Sequence, residues 1–334
     1  MPSFGEQDVL NYQVMTKTVA DFQHPNLVLT ARFSDEVIDG IQARWDVQVP
    51  SRQKAGFRVP NQAASKLEMM SVDTKTATCL LMNLEKGLDE AALGWLREPG
   101  TAEQNNARAL ITREQADLEA RIAYTVEWTI SQALSGTLAC NVGGITRSID
   151  YGIDETHKPN ALASWATDTT DIPSDVGAWA ELVEKDSGFA AADAYVNRNT
   201  MAYIVKNTKV QNLLGQGTVR EQVAQSGHIT HFMGLDWHVY NAGYIDANGE
   251  FQRFIPDDTV VILPRENVFG RLQVGSQMIP SGNANDLVKV YGTFSYAVVQ
   301  TNPPGINLYV GKNFLPVLTM PDAVVYADVT PAQQ

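Results

Sequence analysis

The stretch Glu103–Ser135, EQNNARALITREQADLEARIAYTVEWTISQALS, reads as one uninterrupted α-helix, about 50 Å long at ~1.5 Å per residue. Thr101 and Gln104 stand at capping-box spacing just after the breaker pair Pro99-Gly100. Leu118, Ile122, Val126, Ile130 and Leu134 recur every four residues, and Ala107, Leu110 and Ile111 extend that apolar stripe backwards. Gly136 supplies a left-handed stop. Globular helices average about a third of this length. In a chain otherwise rich in strand-like sequence, such a helix is a spine around which other elements are arranged.

On its N-terminal side the sequence predicts a short helix at Leu88–Leu96. Before that, residues 43–82 have the texture of a protruding hairpin. Trp45, Val47 and Val49 alternate with polar residues, Leu67 and Met69 alternate again, and Thr74–Leu81 is rich in β-formers. Between them, Pro50–Ser65 carries Arg52, Lys54 and Arg58 among Pro and Gly and reads as a mobile tip. A two-stranded hairpin is marginal in water, so this one needs a covering surface, which a neighbouring subunit can supply. Residues 1–42 lack sustained periodicity and read as an extended arm, with one short helix expected at Asp35–Ile41.

On the C-terminal side, Ile145–Ile153 reads as a strand, and a compact helix capped by Ser174 holds Val176, Trp179 and Val183. Ala194–Val196 reads as a strand followed by helical sequence to Leu214. Strand signals then dominate at Leu235–Tyr240, Tyr244-Ile245 and Phe251–Ile255, with Asn248-Gly249 as a two-residue hairpin turn. Thr259–Leu263 is nearly continuously apolar, which suits a strand covered on both faces. Val288–Val299, Asn307–Val310 and Ala323–Val329 close the chain as strands. The fold class is α+β.

Bulk composition narrows the function. The chain has 334 residues, 44% hydrophobic and 19% charged, which fits a folded protein of more than one compact unit. No apolar run approaches the ~18 residues of a membrane span. The opening MPSFGEQDVLNYQV lacks a basic region followed by an apolar run, so a cytosolic protein is expected. Net charge is -13 and no Lys/Arg block appears, against a protein that binds by neutralising phosphates. Cys79 and Cys140 lie in apolar or small-residue surroundings and read as buried reduced thiols.

Candidate chemistry is thin. His228, His231, Asp236 and His238 have the residue types of a divalent-metal site. The flanking strand signals set positions 228 and 231 on opposite faces. Asp257-Asp258 sits in a turn context and Asp35-Glu36 at a helix start, each a structural role for a carboxylate. Gly215-Gln-Gly217 lacks the setting of a nucleotide loop and reads as a helix stop. Lys54 and Lys66 are solvated lysines or partner contacts. The sequence therefore assigns no catalytic, cofactor-binding or metal residues and no cofactor, and a non-enzyme is expected.

The order of these elements, with several local strings, resembles the major capsid proteins of tailed bacteriophages, in particular the lambda-type major capsid protein E family with its HK-97-like fold. The strings are the long helix ending Trp128-Thr-Ile-Ser-Gln-Ala-Leu-Ser-Gly136, then Ile149-Asp-Tyr-Gly152 with Ser164-Trp165. Tyr195-Val-Asn-Arg-Asn-Thr-Met-Ala-Tyr-Ile204, Tyr244-Ile-Asp-Ala-Asn-Gly249 with Phe254-Ile-Pro-Asp-Asp-Thr-Val-Val-Ile262, and Leu315–Val325 follow. The resemblance implies an N-terminal arm at 1–42 and an extended hairpin (E-loop) at 43–82. It implies a peripheral domain at 83–153 and 289–334 with spine helix 103–135, and an axial domain at 154–288. It further implies a protein that self-assembles, as hexamers and pentamers, into an icosahedral shell enclosing double-stranded DNA without sequence-specific binding. Portal, scaffolding and decoration proteins are the implied partners, with no membrane, and the virion, assembled in the host cytoplasm, the implied location. A second reading is an encapsulin-type nanocompartment shell of the same fold, and a third is a metal-dependent enzyme built on the histidines.

Overall fold

The computed structural model describes residues 10–24, 26–48, 54, 57, 72–89, 94, 96, 101–142, 145–281, 286–302 and 304–330. The tip Pro50–Ser65, apart from Lys54 and Phe57, the strand expected around Leu67 and Met69, and most of the short helix expected at Leu88–Leu96 lie outside them. The chain divides into two compact units. One comprises Met1–Ala43, Thr76–Ile130 and Arg271–Val317, the other Arg44–Lys75, Ser131–Gly270 and Leu318–Gln334.

The spine helix runs Ala102–Leu134, with its residues up to Ile130 in the first unit. Its start is half a capping box: the Gln104 N–H donates to Thr101 Oγ1 at 3.2 Å. The Gln104 side chain turns instead to the Leu96 carbonyl, 3.2 Å away, and ties down the preceding segment. Gly136, at φ +97°, ends the helix in a conformation that costs other residues more. The predicted stripe is buried from Ala107 to Leu134, with Leu110 half-buried.

The sheet of this unit centres on a 15-residue strand, Pro304–Leu318, flanked antiparallel by Thr293–Thr301 and Leu80–Leu88. Strands Gly270–Val274 and then Ser34–Val37 extend it. Ile306 and Leu308 pack with Ala107 and Ile111 of the spine and Met15 of the arm. Leu88 thus ends a strand, where the sequence suggested a helix start.

Two expectations for the arm change. It holds a nine-residue helix, Tyr12–Ala20, whose Asn11 Oδ1 accepts the Gln13 N–H at 2.8 Å. Met15 and Val19 are buried on one side, so the sparse apolar residues there are helical anchors rather than extended contacts. Asp35 and Glu36 lie in a strand paired parallel with Arg271–Val274, not in a helix. Sheet hydrogen bonds from a distant segment override the local helix signal.

The second unit is built on a five-stranded sheet in the order Val325–Asp328, Thr259–Pro264, Ala191–Val196, Leu235–Val239, His231–Phe232. Thr259–Pro264 is buried along its whole length, as its apolar run requires. Ile172–Ser187 packs Ile172, Val176, Trp179 and Val183 into the same core as Val260 and Ile262. Its N-cap is Asp171, three residues before the expected Ser174 cap, with Pro173 in the first turn. Helices Arg198–Lys206, Thr208–Leu214 and Gln216–Ser226 follow. Gly215 separates the last two, but Gly217 continues the helix that the sequence reading did not anticipate.

Outside these sheets, four two-stranded ribbons stand among the described residues: Gln42–Val47 with Asp73–Thr78, Thr137–Val142 with Ile145–Asp150, Gly243–Ile245 with Phe251–Arg253, and Ser276–Pro280 with Leu287–Tyr291. The third closes over Asp246–Glu250, a longer turn than the Asn248-Gly249 pair alone, with Gly249 at φ +85°.

Candidate functional site

The residue types that suggested chemistry do not converge. His231 Nδ1 is 2.9 Å from Asp236 Oδ1 across a strand pair, and His238 Nε2 is 2.8 Å from Asp193 Oδ1 on the next strand. His228 faces the Ser226 carbonyl instead. Among the described residues no group of three or more His, Cys, Asp and Glu is arranged to hold a metal ion. Asp257 accepts from Arg253, Asn197 and Asn199, which locks a corner rather than freeing an acid–base group. The neighbouring Asp258 takes a left-handed φ of +62° there. Cys79 is buried, and burial pushes its thiol up to about 11, so little reactive thiolate exists at neutral pH. Cys140 is a second free thiol, shifted upward for the same reason. Lys54 is exposed, 5.5 Å from the Phe57 ring centroid, and Lys66 lies outside the described residues.

What the molecule does present is rigid support and adhesive ribbons. The spine helix buries Glu127 completely, and its carboxylate accepts the Leu29 N–H at 2.8 Å and the Thr30 N–H at 2.7 Å. The Thr30 hydroxyl donates to it as well. More than two turns upstream, Glu119 meets His24, and further on Glu114 meets Lys86 of strand Leu80–Leu88. The Lys86 ammonium holds the Glu114 carboxyl below the usual range. Gln115 donates to Ser295 Oγ at 2.9 Å, and Ser295 exchanges hydrogen bonds with Thr16 of the arm helix. The arm and the sheet are thus clasped to the helix by buried polar groups. Sequence reasoning missed all of these; the signal available was acidic and amide residues at positions 114, 115, 119 and 127, next to the apolar stripe.

Two of the ribbons carry outward apolar side chains. On Ser276–Pro280 with Leu287–Tyr291, the register places Met278 opposite Lys289 and Pro280 opposite Leu287. Met278, Leu287 and Tyr291 are 51%, 57% and 44% exposed, while Ile279 on the other face is buried. On the short ribbon of the second unit, Ile245 and Phe251 are direct partners and both exposed. Trp45 of the first ribbon is buried and stacks obliquely on Tyr151 at 6.4 Å.

Comparison with known proteins agrees with this picture. The family model described as phage major capsid protein E matches residues 59–329. A putative capsid protein of a prophage from E. coli CFT073 superposes with a TM-score of 0.67 at 15% identity, covering 96% of this chain and 99% of that one. A phage-related protein from Bordetella bronchiseptica RB50 gives 0.58 at 12% identity, covering 97% and 99%. The mature capsid of bacteriophage PhiM1 gives 0.50 at 13%, covering 91% and 87%. A search of curated proteins finds no match. The likeness in structure is one of fold, the HK97-like capsid fold, and the family match favours a phage shell over a cellular nanocompartment. The chain belongs to the phage major capsid protein E family and is a head-shell protein of a tailed bacteriophage.

Proposed function

We propose that copies of this chain form the hexamers and pentamers of an icosahedral shell around packaged double-stranded DNA, assembling in the host cytoplasm with portal and scaffolding proteins and in some shells decoration proteins. In this reading residues 1–42 are the arm and 43–82 the extended loop laid over a neighbour. Residues 83–153 and 289–334 form the peripheral domain and 154–288 the axial domain. The protein works by geometry and carries no catalysis.

The observation that carries the reading is the pair of two-stranded ribbons, Ser276–Pro280 with Leu287–Tyr291 and Gly243–Ile245 with Phe251–Arg253, whose exposed apolar side chains have no cover within the described chain. Such ribbons gain stability only against a further surface, and a closed shell provides one for every copy. Net charge of -13 supports a container that holds a polyanion without gripping it.

Deleting Pro50–Ser65 tests the extended loop. The variant is expected to be soluble and to melt cooperatively, yet to form no closed shells by electron microscopy. Normal particles from the deletion would remove the loop from the inter-subunit contact. Nuclease-protected DNA inside particles recovered from infected cells supports the genome-enclosing role, and an enclosed enzyme in its place overturns it.

A further inference from the structure

Helix Arg198–Lys206 of the second unit borders an open groove of about 610 Å³. Its floor is apolar: Met201, Ala202, Val205, Val223 and Val239. Arg198 and Lys206 stand at its two ends, about 12 Å apart along the helix at ~1.5 Å per residue. Both are exposed, neither is ion-paired among the described residues, and His228 is a third nitrogen-bearing side chain in the lining. Among the described residues no carboxylate lines the groove. In a chain with 38 acidic and 25 basic residues, a cation-rimmed apolar trough is out of character with the bulk surface.

The same unit carries a feature of opposite charge. At the tip of the Gly243–Arg253 ribbon, Ile245 and Phe251 form an exposed cross-strand pair, 70% and 59% accessible. Asp246 and Glu250 flank that pair. The Glu250 and Asn248 N–H groups donate to Asp246 Oδ1 at 3.0 and 2.9 Å, which holds its carboxyl well below the usual range and keeps it ionised. Tyr244 stacks on Phe254 behind the pair, ring centroids 5.8 Å apart, and stiffens the base. The tip is therefore an acidic, apolar knob.

We propose that the occupant of the groove is the knob of a second copy, with Ile245 and Phe251 on the apolar floor and Asp246 and Glu250 against Arg198 and Lys206. Within one chain the knob is exposed and the groove open, so the match is made only between copies. Knob and groove are different patches, so the contact is heterologous, the kind that closes into a ring when repeated by rotation. Opposed charges fix which way round neighbours join, and like charges in their place cost several kcal/mol. The proposal rests on the shell function above and names one contact within it.

The test is a charge exchange in the full chain. Arg198→Glu, Lys206→Glu and Glu250→Lys alter exposed side chains, so each is expected to melt like the parent. Each should lower the assembled fraction at low salt by about tenfold or more, equivalent to about 1.4 kcal/mol. Combining Glu250→Lys with one of the two groove variants should restore assembly to within about threefold of the parent. Asp246 is left alone because it holds the turn. Unchanged assembly in the Glu250→Lys variant overturns the proposal, and so does failure of both combinations to recover. Groove variants that block assembly while knob variants do not would mean that an acidic segment of another protein fills the groove, and would also overturn it. A parent chain that forms no particles would instead count against the shell reading. The contact is then read directly by mixing Val205→Cys and Phe251→Cys copies, both lacking Cys140, under mild oxidation. A disulfide-linked heterodimer supports the contact, and its absence overturns it.

Discussion

The spine helix and the strand Thr259–Pro264 are both buried, but with opposite chemistry. Along the helix, Gln104, Glu114, Gln115, Glu119 and Glu127 are buried beside its apolar stripe. The strand buries Val260, Val261, Ile262 and Leu263 with a single hydroxyl, that of Thr259. The strand is held by area removed from water, which is non-directional and tolerates small shifts. The helix is held by that and by hydrogen bonds whose partners lie far off in sequence: Glu127 reaches Leu29 and Thr30, Glu119 reaches His24, Gln115 reaches Ser295. Such bonds make the position of the arm on the helix specific, since a buried carboxylate without its donors is costly. For a shell subunit this separates a core that needs only to be solid from a strut whose attachments must be in register.

The comparison can be broken most forcefully at its shared element, the apolar row. Ile122→Asp on the helix and Ile262→Asp on the strand each put a carboxylate where side chains are about 1% exposed or less. An unpaired buried charge costs several kcal/mol, against a total stability of about 5–15 kcal/mol. Both variants are expected to lose cooperative folding, and a native-like melt by circular dichroism in either would refute the role assigned to that residue.

A more selective break is Glu127→Ala. It removes the acceptor for two backbone N–H groups and a hydroxyl while leaving the apolar stripe intact. The expected loss is about 2–4 kcal/mol, the cost of stranding buried donors. Hydrogen exchange at Leu29 and Thr30 should accelerate far more than exchange in Thr259–Pro264. Equal acceleration in both places would mean that the two regions are not held in different ways.

How much of this was legible follows from the same contrast. The spine, its glycine stop and the doubly covered strand were all readable, because the periods of 3.6 and of a continuous apolar run are local signals. The capping box was half right: Thr101 caps, but Gln104 is diverted to Leu96, a choice made by the preceding segment. Asp35-Glu36 was misread because its strand exists only through pairing with residues some 235 positions away. The histidines at 228, 231 and 238 shared a short stretch of sequence, yet sheet register gave His231 and His238 different carboxylates. The clasp residues of the helix were invisible as a group, since nothing at position 127 announces Thr30. The groove escaped notice too, because Arg198 and Val239 meet only in the fold.

The finest test sits on the polar side of the comparison, at Lys86 and Glu114. The ammonium lowers the acid's pKa from its usual 4.5, and the carboxylate raises that of the lysine from its usual 10.5. A depressed acid contributes stability that is present above its unfolded pKa and lost as pH falls through the folded one. A raised lysine contributes stability that is complete below its unfolded pKa and lost as pH rises through the folded one. The pair therefore stabilises the fold between about pH 4.5 and 10.5. Lys86→Met keeps the aliphatic stem against the sheet and deletes only the charge. Its melting temperature should lie below that of the parent by a near-constant amount from about pH 6 to 9, and the offset should shrink as pH falls below 4.5 and through the lowered pKa of Glu114, where the parent loses the same interaction. The offset should be smaller than that of Glu127→Ala, because Lys86 remains 40% exposed and solvent screens the pair. An offset that stays unchanged until Glu114 is fully protonated would show that Lys86 acts through its stem, and the polar clasp on the spine would then rest on Gln115, Glu119 and Glu127 alone.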